Sequence, residues 1–189
     1  FMDTIMCTIT RFTPGLWLGP LAGHPRSQLA TEHPEWLLRN ARGRPVNAGL
    51  IATRFFAQAL DPTHPGVEEY LRHLIRTAVD KWGFPYLKLD FLYAGALPGR
   101  RHNPNLTRAQ AYRHALKIIR EAAGEETYLL GCGAPLGPSI GLVDAMRIGP
   151  DTAPDWVPQV SGVRRPFRKD PTLPSLRNSL QQRLPRIEC

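Results

Sequence analysis

Lys88 and Asp90 stand two positions apart in "YLKLDF", and Arg147 and Asp151 four apart in "DAMRIGPD". Both stretches are otherwise apolar or closed by glycine and proline, so each reads as a short buried strand. Side chains alternate along a strand, which puts Lys88 and Asp90 on one face and Leu87, Leu89 and Phe91 on the other. Arg147, Gly149 and Asp151 also share parity. Charges on the face of a buried strand are costly unless they are paired or line a site. Two carboxylates from different strands facing one cavity are the minimum for cleaving a glycosidic bond. One attacks or activates water, and the other, kept protonated by its surroundings, hands a proton to the leaving oxygen. A basic neighbour such as Lys88 would favour the ionised form of Asp90. The same residues also admit a structural reading, with Lys88 and Asp90 as an edge-strand pair and Asp151 as the cap of the turn in "PDTAPDW".

The elements that must position these groups alternate. "GLWLGP" (residues 15 to 20) suits a strand ended by Gly-Pro, and a stretch rich in loop residues follows, with prolines at 25, 34 and 45. "DPTHPGVEEYLRHLIRTAVDKWG" predicts a helix. Pro65 fits its first turn, Glu68 and Glu69 meet the positive end of the dipole, Gly83 closes it, and Val67, Leu71, Leu74, Ile75, Ala78 and Trp82 form one stripe. A second helix is predicted between a Thr107/Gln110 capping box and Gly124, with Tyr112, Ala115, Leu116 and Ile119 inward. "TYLLGCG" and "DAMRIGPD" then supply two more strands. This alternation predicts an α/β fold with a parallel sheet. "GCGAPLG" has the wrong spacing for a dinucleotide loop and is not followed by a helix, so the charged strand ends favour a (β/α)8 barrel over a doubly wound sheet.

Composition narrows the classes further. The 189 residues are 42% hydrophobic and 21% charged, without an apolar run long enough to span a bilayer or a secretory leader, so a cytoplasmic location and no membrane partner are expected. Cys7, Cys132 and Cys189 are far apart, and the six histidines show no paired spacing. Neither a disulfide framework nor a metal site is expected. Of the net charge of +8, the segment from residue 157 onward carries +5 (seven Lys or Arg against two acids), leaving +3 for the rest. Arginine outnumbers lysine 20 to 4, and the basic residues are not interleaved with aromatics, which argues against a nucleic-acid partner.

"GLWLGPLAGHPRSQLATEHPEWLLR", "YLKLDFLYAGALPGRRHNPNLT" and "LLGCGAPLGPSIGLVDAMRIGPDTAPDW" resemble the catalytic barrel of the family 36 glycoside hydrolases, the retaining α-galactosidases or melibiases. The resemblance runs from about Gly15 to Trp156. It implies that Asp90 is the nucleophile and Asp151 the general acid/base, that Lys88 and Arg147 hold sugar hydroxyls, and that Cys132 and Trp17 lie beside the sugar. It implies no cofactor, and substrates with terminal α-linked galactose, as in melibiose or raffinose. On residue type alone, Trp17 and Cys132 read equally as core, Trp36 as the anchor of its loop, and His24 and His33 as loop residues.

A complete barrel takes about 250 residues. By resemblance this chain holds strands three to six, without the two earlier strands that bring the family's aspartate pair or the two later ones. Residues 1–156 are therefore expected to form a partial, incomplete barrel. Residues 157–189 are expected to be a basic segment with a helix at "PSLRNSLQQ". Exposed strand edges would invite a homo-oligomer. Two rival readings follow, an inactive truncated remnant with weak sugar binding and a basic nucleic-acid-binding protein.

Overall fold

Four parallel strands form the centre of the computed structural model, which describes residues 12–49 and 57–147 and the backbone of 159–160 and 163–164. The strands are β1 (Gly15–Leu18), β4 (Tyr86–Leu89), β5 (Tyr128–Gly131) and β6 (Ala145–Met146), paired in that order. Trp17, Lys88, Leu130 and Ala145 lie in register across the sheet. The sheet is parallel, as the alternation of elements predicts, with helices in the connections.

Between β1 and β4 runs a longer excursion than the proline-rich sequence indicates. It holds β2 (Ala22–Gly23) and β3 (Gln58–Ala59), paired antiparallel, the short helix α1 (Gln28–Glu32) and a 3-10 turn at Pro34–Trp36. Serine 27 caps α1 by accepting the Ala30 amide. Short polar signals of this kind build ordered structure here because the buried Leu37, Leu38, Ala59 and Leu60 join the main core.

Helix α2 (Pro65–Arg76) starts as expected with proline in its first turn, and the His64 ring accepts the Gly66 amide. Val67, Leu71 and Ile75 are buried. The helix then widens into a π-turn at Thr77–Lys81, and Gly83 follows at φ 70°. Trp82 therefore departs from the expected stripe and is 45% exposed, because the wide turn rotates the residues after it away from the α-helical period. Helix α3 (Arg108–Ala123) carries the complete Thr107/Gln110 capping box and ends at Gly124 (φ 75°). Its Tyr112, Ala115, Leu116 and Ile119 are fully buried. A hydrogen bond of 2.8 Å between His114 Nε2 and Glu68 Oε1 joins α3 to α2.

The two faces of the sheet differ. Leu87, Leu89 and Leu129 share one core with the inner stripes of α2 and α3, and each such buried side chain contributes about 1.5–3 kcal/mol. The opposite face carries Trp17 and Tyr128, 50% and 45% exposed, and a stacked Tyr86–Tyr128 pair with ring centroids 5.4 Å apart. After β5 come helix α4 (Leu136–Ser139) and β6, whose pairing covers only Ala145 and Met146 of the longer strand expected. Beyond it, β7 (Gln159–Val160) and β8 (Val163–Arg164) pair antiparallel. The helix expected at "PSLRNSLQQ" lies outside the described residues, as do Cys7 and Cys189. No described helix is long and apolar enough to cross a membrane.

Candidate active site

Asp90 follows the last residue of β4, which is an inner strand of the sheet. The edge-strand reading of Lys88 and Asp90 is thereby excluded. The carboxylate is 8% exposed, and its backbone is tied in by the Asp90 amide donating to Leu18 O at 2.8 Å. Each carboxylate oxygen accepts one hydrogen bond. Trp17 Nε1 donates to Oδ2 at 3.2 Å and the Phe91 amide donates to Oδ1 at 2.8 Å. Bonds of this kind stabilise an ionised carboxylate and hold its plane.

Lys88 sits one register step below, opposite Trp17. The donors to the Asp90 carboxylate are Trp17 and Phe91, and Lys88, two residues before Asp90 on the strand, is separated from it by roughly 6.5 Å along the chain. Lys88 lines an open depression of about 310 Å³ with Thr13, Gly15, Leu16, Trp17 and Tyr86. That depression lies on the exposed sheet face but toward the strand starts, and Asp90 is not part of its wall.

Cys132 follows β5, fully buried, with its amide donating to Leu89 O at 2.7 Å. This places it beside Asp90 at the same level of the sheet. Tyr86 titrates above its usual range, through burial first and then through the neighbouring Cys132 and Tyr128. Arg147 follows β6, half-buried, and its amide donates to Gly131 O at 2.9 Å. Trp17, Lys88, Asp90, Cys132 and Arg147 thus stand at or beside the C-terminal ends of adjacent parallel strands, where functional residues of such sheets gather. Asp151 lies outside the described residues.

Two neighbours of Asp90 were not among the sequence candidates. Phe91 adopts a left-handed backbone conformation (φ 53°), which its residue type does not signal. Tyr93 donates its hydroxyl to Ala48 O, joining the excursion after β1 to the end of β4. Burial, and secondarily the charge of Asp90, pushes the Tyr93 phenol up, which places that ring within the field of the carboxylate. The tyrosine in "DFLYAG" was the available sign, but a lone tyrosine four residues after a strand carries no specific pattern.

Another buried carboxylate does structural work. Asp61, 4% exposed, accepts the Thr63 amide (3.0 Å) and hydroxyl (2.8 Å) on Oδ1 and the His102 amide (2.6 Å) on Oδ2. It therefore pins the loop that follows Asp90 to the start of α2. His24 lies in a turn, and His33 stacks on Trp36 with centroids 3.8 Å apart, so Trp36 anchors its loop as expected. Among the described residues no group of three His, Cys, Asp or Glu is arranged to hold a metal ion.

No protein-family model matches the chain. Among solved structures it is similar to an α-galactosidase from Thermus thermophilus in complex with p-nitrophenyl α-D-galactopyranoside. The identity is 46% and the TM-score 0.66, over 75% of this chain and 28% of that one. The same enzyme in complex with stachyose aligns at 45% identity and TM-score 0.65, over 75% of this chain and 29% of that one. A GH36 α-galactosidase from Geobacillus stearothermophilus aligns at 19% identity and TM-score 0.51, over 70% of this chain and 19% of that one, a likeness of fold alone. This chain spans less than a third of the length of each of these enzymes, and over about three quarters of its own length it is similar to an α-galactosidase.

Proposed function

We propose that this chain carries the central part of an α-galactosidase active site, with its four parallel strands as the third to sixth of a (β/α)8 barrel. In this reading residues 1–156 belong to the barrel and 157–189 form a basic continuation. The observation that carries it is the placing of Asp90. This is a nearly buried carboxylate, held through both oxygens at the C-terminal end of an inner strand, in a chain 46% identical to an α-galactosidase solved with a galactoside.

The chemistry follows from two carboxyl groups. An Asp90 oxygen attacks the anomeric carbon of a terminal α-galactoside while the bond to the leaving oxygen breaks, and Asp151 supplies the proton that this oxygen takes. Water then attacks the galactosyl ester with Asp151 as base, releasing galactose with retained configuration and freeing Asp90. Retention requires the two carboxyls to stand about 5–5.5 Å apart. Lys88, Arg147, Cys132 and Trp17 would contact the sugar, melibiose and raffinose being the type of substrate, and no cofactor takes part. The exposed sheet face supports further strands closing over it, from more of the same polypeptide or from a second copy in a homo-oligomer. A cytoplasmic location without nucleic-acid or membrane partners completes the reading.

Hydrolysis of p-nitrophenyl α-galactoside by the purified chain, beside Asp90→Asn, tests this. Activity in the parent that disappears in the variant supports it. Equal background rates in both would overturn it.

A further inference from the structure

Phe91 is the one non-glycine at positive φ among the described residues (φ 53°, ψ 30°), and it directly follows Asp90. A bulky residue there is strained, and strain of this kind persists only where the surroundings impose it. The surroundings are dense. The Leu92 amide donates to Cys132 O at 3.3 Å, the Tyr93 amide to Gly133 O at 2.7 Å, and the Ala94 amide back to Phe91 O at 3.0 Å. Gly133, itself at φ 54°, lies so close that a Cβ on it would stand 3.5 Å from Phe91 N. Two left-handed residues therefore face each other at the ends of β4 and β5.

A glycine at position 91 would make the same turn without steric cost, as Gly133 does. What glycine lacks is the ring. The Phe91 ring meets the Trp17 indole edge-on, with centroids 6.0 Å apart at 82°, and Tyr93 likewise at 6.4 Å and 82°. Trp17 is the donor to Asp90 Oδ2, and the Phe91 amide is the donor to Oδ1. One residue thus touches both supports of the carboxylate, directly through its backbone and indirectly through the indole.

We infer that Phe91 is a positioning residue for Asp90, its strained backbone and its ring together fixing the plane of the carboxylate. The inference rests on the proposed role of Asp90 for its catalytic meaning, although the geometry can be tested without turnover.

The test uses the full ¹⁵N-labelled chain and the Trp17 indole N–H resonance, assigned by its loss in Trp17→Phe. Asp90→Ala should move that proton upfield as the acceptor disappears. Phe91→Gly should move it in the same direction, and Phe91→Tyr, which keeps the ring, should restore it. If Phe91→Gly does not fold by circular dichroism, Phe91→Leu is read in the same way. An indole signal that stays at the parent position in the folded Phe91→Gly or Phe91→Leu protein overturns the inference, as does one that ignores Asp90→Ala. Where the parent hydrolyses p-nitrophenyl α-galactoside, Phe91→Gly should lower kcat about ten- to a hundredfold with KM changed less than about twofold. An unchanged kcat also overturns it. Absence of hydrolysis by the parent refutes the proposed activity alone, and the indole signal still decides the role of Phe91.

Discussion

Replacing Asp61 by alanine should be among the most damaging single changes in this chain, although the residue is not a candidate for chemistry. Asp61 and Thr63 are 4% and 5% exposed, and the Asp61 carboxylate accepts three hydrogen bonds, from the Thr63 amide, the Thr63 hydroxyl and the His102 amide. A hydrogen bond to a charged group is worth about 1.5–3 kcal/mol, and a buried donor left without a partner costs about 1–3 kcal/mol. Thr63 places two of the donors on one oxygen, so the effects overlap and cannot simply be added. A loss of about 3–5 kcal/mol is expected for Asp61→Ala. In a chain of this length that corresponds to a fall in Tm of about 6–20 °C. Asp61→Asn should lose less, because its amide oxygen still accepts from Thr63 while its NH₂ group opposes the His102 amide. Denaturant unfolding gives the free energies. Hydrogen exchange at the His102 amide should accelerate in both variants, and a loss below about 1 kcal/mol in Asp61→Ala would refute this account of the latch.

Asp144 precedes β6, and burial alone would raise its pKa. The Leu129 amide (2.6 Å) and the Arg120 guanidinium (2.6 Å) outweigh burial and hold the carboxyl below its usual range. A depressed acid stabilises the fold above its unfolded pKa and loses that contribution as pH falls through the folded value. Asp144→Asn should therefore cost about 1 kcal/mol near neutrality, kept small by partial exposure, with the gap closing as pH falls below about 4; a gap independent of pH would contradict this. Gly66 lies in α2, where alanine normally stabilises, yet a Cβ there would meet Trp36 Nε1 at 2.4 Å and Cε2 at 2.6 Å. The Trp36 indole is stacked on His33, so Gly66→Ala should destabilise by about 1–3 kcal/mol in denaturant melts, and a stabilised variant would show the indole free to yield.

Sequence determined a good deal of this protein by itself. Alternation and helical stripes reflect which side chains must leave water, so the strands at Gly15–Leu18, Tyr86–Leu89 and Tyr128–Gly131 and both long helices were legible before any fold was known. The capping box at Thr107 and Gln110 was legible because it is a local exchange of hydrogen bonds. Parity put Lys88 and Asp90 on one face, and the motifs pointed to the α-galactosidases. Tertiary structure alone decided the rest. The ordering of the excursion after β1 and the Asp61 latch depend on partners distant in sequence, which no local pattern encodes. The partners of Asp90 belong to the same class. Trp17 is 73 residues away, and the left-handed turn at Phe91 runs against its residue's own preference and is imposed by β5 beside it. Periodicity reports which face a side chain takes; which groups meet across that face is settled only when the strands pair.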